Sequence, residues 1–174
     1  MFQAGVKKNM KQEKDYTHFL KESKASDVQG VVNALQQALS TTYALLALTQ
    51  NAHWNIEGAN FRSLHLMFND QYEDLFDSID TIAENIRQLQ VYVPVNLTKF
   101  VEQSGISNPL APQTEAGWVS AVLAGNELAE NVFVQLQIAV KDFPYLKIQD
   151  FAIERQEAFS KAIWMLRSTL KGLS

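Results

Sequence analysis

Residues 51–89 read NAHWNIEGANFRSLHLMFNDQYEDLFDSIDTIAENIRQL. From Phe61 onward the apolar positions Phe61, Leu64, Phe68, Tyr72, Leu75, Phe76, Ile79, Ile82, Ala83, Ile86 and Leu89 recur at helical spacing. On that helix His65 and Asn69 lie one turn apart, as do Asp80 and Glu84, so each pair shares a face. The pairs are offset by about 22 Å of helix, at about 1.5 Å per residue. One metal centre within one chain cannot use both. The pairs are, however, placed symmetrically about a point between 74 and 75. A second copy laid antiparallel on a two-fold axis there brings the His65/Asn69 end of one chain to the Asp80/Glu84 end of the other. Such an interface repeats the same patch, giving two equivalent mixed sites per dimer.

Imidazole and carboxylate donors together suit iron, zinc or manganese, and an open mixed site is where redox iron chemistry is run. The chain has three His, and two of them, His53 and His65, fall at the end of one helix and the start of the next. The competing readings are structural histidines and a solvated acidic face. The neighbours Phe76, Ile79, Ala83 and Ile86 predict a partly buried face for Asp80 and Glu84.

The rest of the chain extends the helical pattern. Ser26 with Gln29 has capping-box spacing, and Val28, Val31, Val32, Leu35, Leu39, Tyr43 and Leu46 form one apolar face of a helix running to about Trp54. Gly58 breaks the chain and Asn60 is placed to cap the next helix, which stops before Val93-Pro94. A connection bounded by Pro94 and Pro112 holds a short helix over Leu97–Val101. A third long helix spans about 114–140, Asp142-Phe143-Pro144 interrupts it, and a fourth spans about 145–170 before Gly172. Four long helices with one long central connection predict an all-α, ferritin-like four-helix bundle with a short helix in the crossover.

Composition agrees. With 174 residues, 47% hydrophobic, seven Gly and four Pro, the chain suits a single helical domain, read as residues 26–174 after a Lys-rich arm, 1–25. No apolar run reaches membrane-spanning length. The opening MFQAGVKKNMKQEKDYTHF lacks the apolar core of a secretory signal. The absence of Cys excludes disulfides, thiolate metal sites and cysteine nucleophiles, and suits a cytoplasmic location. Charge is uneven: residues 1–24 hold six Lys against Glu13, Asp15 and Glu22, net +3, whereas the remainder holds nine basic and 16 acidic groups, net −7. No Glu-x-x-His occurs, which argues against the di-iron centre that large ferritins build inside one bundle.

His53-Trp54-Asn55, Gly58-Ala59-Asn60-Phe61, Leu64-His65 and Asp80-x-x-Ala83-Glu84, with Ala162–Arg167 in the last helix, resemble the signature of the Dps family, mini-ferritins named as DNA-binding proteins from starved cells. The resemblance implies a hollow homododecamer that oxidises Fe(II) with hydrogen peroxide or oxygen between two-fold-related subunits and stores the ferric mineral inside. It would draw His53 and His65 from one subunit and Asp80 and Glu84 from its partner, with Glu84 holding the tighter iron and bridging to a second. Zinc is an alternative occupant.

One position departs from the pattern. The family usually carries an aspartate where this chain has Asn69. An Asn carbonyl can coordinate but brings no charge, and Asp70 points about 100° away. The expectation is one good iron site and a weakened second.

By the same resemblance Trp54 intercepts one-electron oxidants beside the iron, against the plainer reading of a tryptophan packed at a helix end. Glu127 and Glu130 are candidates for an acidic three-fold pore, against solvated helix-face glutamates. Lys7, Lys8, Lys11 and Lys14 are candidate DNA contacts, multiplied by twelve copies, with a nucleoid-associated location if they bind; the interspersed acids and negative body oppose this. The main rival function is a catalytically weak shell acting by DNA binding or passive metal sequestration. A third is a plain helical assembly protein with structural His and acids.

Overall fold

The computed structural model describes residues 25–109 and 113–173. The Lys-rich arm lies outside them apart from Ala25, and with it Lys7, Lys8, Lys11 and Lys14. Five helices account for most of the described chain: α1 (Ala25–Asn55), α2 (Phe61–Gln88), α3 (Leu97–Ser104), α4 (Glu115–Val140) and α5 (Leu146–Leu170). No strand occurs among the described residues. The four long helices and the short crossover helix match the expected ferritin-like bundle.

The helix ends differ from expectation in instructive ways. Ser26 lies inside α1, which already includes Ala25. Asn60 does stand at the N-cap of α2, but its side chain makes no cap bond, with φ −100° and ψ 16° outside the extended geometry that capping uses. α2 stops at Gln88, five residues before Val93, because Gln90 turns left-handed at φ 64°. Arg87 secures the reversal: Nη1 donates to the Val91 carbonyl at 2.9 Å and the guanidinium lies 4.5 Å from the Tyr92 ring centre.

α1 packs against α2, α3 and α4, and α4 packs against α5. The apolar face of α1 (Val31, Val32, Leu35, Leu39) meets Phe68, Ile82 and Ile86 of α2, Trp118 and Phe133 of α4, and Phe159 of α5 in one buried core. Each large side chain withdrawn from water contributes about 1.5–3 kcal/mol. The crossover helix α3 is held on α1 by Phe100 against Tyr43, 5.3 Å between ring centres, and by Gln37 Nε2 donating to the Gln103 carbonyl at 3.0 Å. Asn51 Nδ2 ties its return to the end of α1, donating to Asn108 Oδ1 at 2.7 Å and the Pro109 carbonyl at 3.0 Å. Arg155, buried on α5, donates to both carboxylate oxygens of Asp74 on α2, at 2.8 and 2.7 Å, and lies over Phe159. None of the described helices is long and apolar enough to cross a membrane.

Candidate metal centre

The end of α1 and the start of α2 are joined by a five-residue turn, 56–60, that reverses the chain. Gly58 provides the break with φ +130°, a conformation open to glycine. Ile56 is buried and its N–H donates to the Ala52 carbonyl at 3.0 Å, so α1 is held up to the turn.

This turn places His53, 8% exposed, against His65, which is half-buried. The rings stack with centres 3.8 Å apart and planes 20° from parallel. His53 Nδ1 donates to the backbone carbonyl of His65 at 2.9 Å, and His65 Nδ1 donates to that of His53, also at 2.9 Å. A carbonyl only accepts, so each neutral ring carries its proton on Nδ1 and keeps the Nε2 lone pair for a ligand. Carbonyl-anchored histidines are the usual way a protein fixes the ligating nitrogen. Tyr72 meets His53 edge-on at 5.1 Å, and Phe61 stacks on His65 at 5.1 Å.

Asn69 is half-buried, and its Oδ1 accepts from the Tyr72 hydroxyl at 2.9 Å. One of the two lone pairs of that carbonyl oxygen is thereby occupied. Asp70 is exposed on another side of α2.

Asp80 and Glu84 are both exposed, which corrects the partly buried face expected from their neighbours. The apolar residues divide: Ile79, Ile82 and Ile86 turn inward, while Phe76 stays on the outer surface at 64% exposure. Neither carboxylate has an ion pair or hydrogen bond among the described residues. Midway between the histidine and acid ends lies a groove of about 330 Å³ lined by Gln50, Tyr72, Glu73, Phe76 and Asp77. Within one chain no three of His, Asp and Glu converge among the described residues. The histidines come together, and the acids stand apart on the same helix.

Trp54 follows His53 but is 69% exposed, so within the chain it is not the packed helix-end tryptophan of the plainer reading. The two pore candidates are engaged inside the chain: Glu127 pairs with Arg167 at 2.7 Å, and Glu130 accepts from the Ser160 hydroxyl. Both lie on α4 facing α5. Two residues that the sequence did not mark as belonging to the site contact it or its turn. Tyr72 bonds Asn69 at the helical i, i+3 spacing, a signal available in the sequence. Glu115, 55 positions from Asn60, binds the turn with no sequence signal at all.

The ferritin-like domain family matches residues 32–174. An uncharacterised low temperature-induced protein of Nostoc sp. is 32% identical over 83% of this chain and 82% of its own length. The DNA protection during starvation protein of Brevibacillus brevis is 28% identical over 85% of this chain and 99% of its own. Among solved structures, antigen TpF1 from Treponema pallidum superposes with TM-score 0.80 at 26% identity, covering 85% of this chain and 96% of its own. A Dps protein from Bacillus brevis superposes with TM-score 0.79 at 24% identity, covering 85% and 99%. Matched along most of its length by the family, by its named relatives and by their folds, the chain belongs to the ferritin-like family, within its Dps branch.

Proposed function

We propose that this protein is an iron-oxidising and iron-storing Dps shell, a homododecamer whose metal sites are shared between two-fold-related subunits. The observation that carries the reading is the histidine pair: the Nδ1 of each ring donates to the other residue's backbone carbonyl, leaving two Nε2 atoms for a ligand. The helix bearing His65 also carries Asp80 and Glu84, exposed and without partners among the described residues, at the same distance as Asn69 and His65 from a two-fold axis set near Asp74 and Leu75. Phe76 is exposed and lines the groove midway along α2, and a two-fold axis there would pack the two subunits' Phe76 side chains against one another.

In this arrangement Fe(II) is the substrate. His53 and His65 supply neutral nitrogen donors, and Asp80 and Glu84 of the partner subunit supply two negative charges, which balance one divalent cation. Asn69 adds no charge, so a second ion binds less tightly. Two Fe(II) each give one electron to hydrogen peroxide, which takes up two protons and leaves as two waters. The peroxide is consumed without releasing hydroxyl radical, and the ferric product is stored in the shell. Trp54, exposed beside His53, is placed to quench a stray one-electron oxidant. A cytoplasmic location fits the absence of cysteine.

One observation favours a second reading. Asn69 with its oxygen tied to Tyr72 favours a slow oxidase, a shell acting by sequestration or through DNA contacts from Lys7, Lys8, Lys11 and Lys14. The test is anaerobic Fe(II) loading of the purified assembly, followed by peroxide or air while the ferric absorbance is read. Rapid oxidation to a soluble mineral, lost in His65→Ala and Glu84→Ala, supports the oxidase. Oxidation no faster than in protein-free buffer supports the second reading.

A further inference from the structure

The turn between the two histidines has one backbone bond of its own, from the Phe61 N–H to the Gly58 carbonyl at 3.2 Å, and draws further support from outside. Asn60, at the head of α2, leaves its own cap unmade, and an element distant in sequence takes over. The carboxylate of Glu115, in the first turn of α4, grips Asn60 at two points: Oε1 accepts the Asn60 backbone N–H at 2.6 Å, and Oε2 accepts from Asn60 Nδ2 at 3.0 Å. Gly58 is built around this grip. A Cβ there would lie 2.6 Å from Glu115 Oε1 and 2.7 Å from its Cδ, so a side chain at 58 is strained by φ and would push the Glu115 carboxylate out of its grip. The carboxylate thus stands at the N-termini of two helices, α2 and α4, where the partial positive charge of exposed N–H groups favours an anion.

We propose that Glu115 is a positioning residue for the metal centre, clamping the 56–60 turn so that His53 and His65 remain in the register that fixes both tautomers. The reciprocal bonds tolerate little slippage, because each depends on the carbonyl of one residue meeting the ring of the other across the turn. His65 sits in the second turn of α2, one turn beyond the clamped residue. Freeing Asn60 lets the first turn of α2 shift relative to the last turn of α1. The histidine exchange then breaks without any ligand being removed. The proposal rests on the metal reading above only for its metal readout.

Three variants separate the clamp from plain helix stability. Glu115→Ala removes it. Asn60→Asp keeps an N-cap residue of equal quality but sets two carboxylates against each other. Asn60→Asp/Glu115→Gln restores an amide–carboxylate pair with the roles exchanged. Two properties are measured on the full assembly: anaerobic Co(II) affinity with its visible spectrum, and hydrogen–deuterium exchange at imidazole C2 of His53 and His65 without metal, with His18 as reference. Glu115→Ala and Asn60→Asp are expected to weaken Co(II) binding roughly tenfold, the low end for outer-shell partners of a metal ligand. Both should speed C2 exchange of His53 and His65 severalfold while His18 stays constant, and the double variant should recover most of both. Wild-type affinity and exchange in Glu115→Ala and Asn60→Asp, or no recovery in the double variant, overturns the proposal. If the wild type binds no Co(II), the metal reading falls, and the exchange comparison alone decides whether Glu115 positions the histidines.

Discussion

His53 and His65 hold each other: the Nδ1 of each donates to the backbone carbonyl of the other at 2.9 Å, and their rings stack at 3.8 Å. Each ring is therefore a prospective ligand, held by the other residue's backbone carbonyl and stacked on its ring. Replacing one removes a donor and also releases the survivor from its partner's ring, which lay 3.8 Å away.

The first prediction is strong non-additivity. His53→Ala and His65→Ala should each weaken anaerobic Co(II) binding by 10-fold or more, on the order of a lost ligand support. The double variant should be far less impaired than the product of the two. Independent sites would give additive free energies, and a cycle measured by Co(II) titration distinguishes the cases.

Asn69→Asp should raise both the Fe(II) bound per subunit and the rate of its oxidation, because the added charge offsets a second cation. The Tyr72 hydroxyl, now bonded to the Asn69 oxygen, can donate equally to the new carboxylate. Stopped-flow oxidation of the two proteins side by side tests this. An unchanged rate and stoichiometry would mean that Asn69 is not what limits the site.

The next prediction concerns assembly. Phe76 is 64% exposed and lines a groove with Gln50, Tyr72, Glu73 and Asp77. Phe76→Asp should put charge at the centre of the two-fold contact, beside Glu73 and Asp77. The particle should fall to smaller species in sedimentation velocity, with helical circular dichroism retained. An intact particle would place the two-fold contact elsewhere.

A stability prediction follows from the α2–α5 ion pair. Arg155 is buried and its Nε has no hydrogen-bond partner among the described residues, so its charge depends on Asp74. Removing one partner of a fully buried pair costs about 3–5 kcal/mol. Asp74 is 52% exposed, so Asp74→Asn should cost less, roughly 1–3 kcal/mol. Denaturant unfolding of the wild type and the variant measures the difference.

Most of the fold was legible because apolar residues at helical spacing occupy every long helix, and glycine and proline mark the breaks. α3 and the ends of α4 and α5 fall within a few residues of their expected positions. What failed was local capping. Ser26 and Asn60 have the right side chains for caps, yet Ser26 lies within a helix and Asn60 is claimed by Glu115. Propensity is a local quantity, and a partner 55 positions away overrides it. The early end of α2 at Gln88 likewise depends on Arg87 folding back over Tyr92. At the site, spacing indicated which residues share a helix face. It could not indicate that Asp80 and Glu84 point outward, because their neighbours Phe76 and Ile79 diverge, one exposed and one buried.

On the proposed function each metal site takes histidines from one subunit and carboxylates from another. Co-assembly tests it directly. One chain carries His53→Ala/His65→Ala, the other Asp80→Ala/Glu84→Ala, and each should oxidise Fe(II) no faster than buffer when assembled alone. Refolded or co-expressed together at equal amounts, they should regain about a quarter of wild-type activity, since half the two-fold pairs are mixed and each mixed pair rebuilds one of its two sites. Mixed particles as inactive as their parents would contradict the shared site.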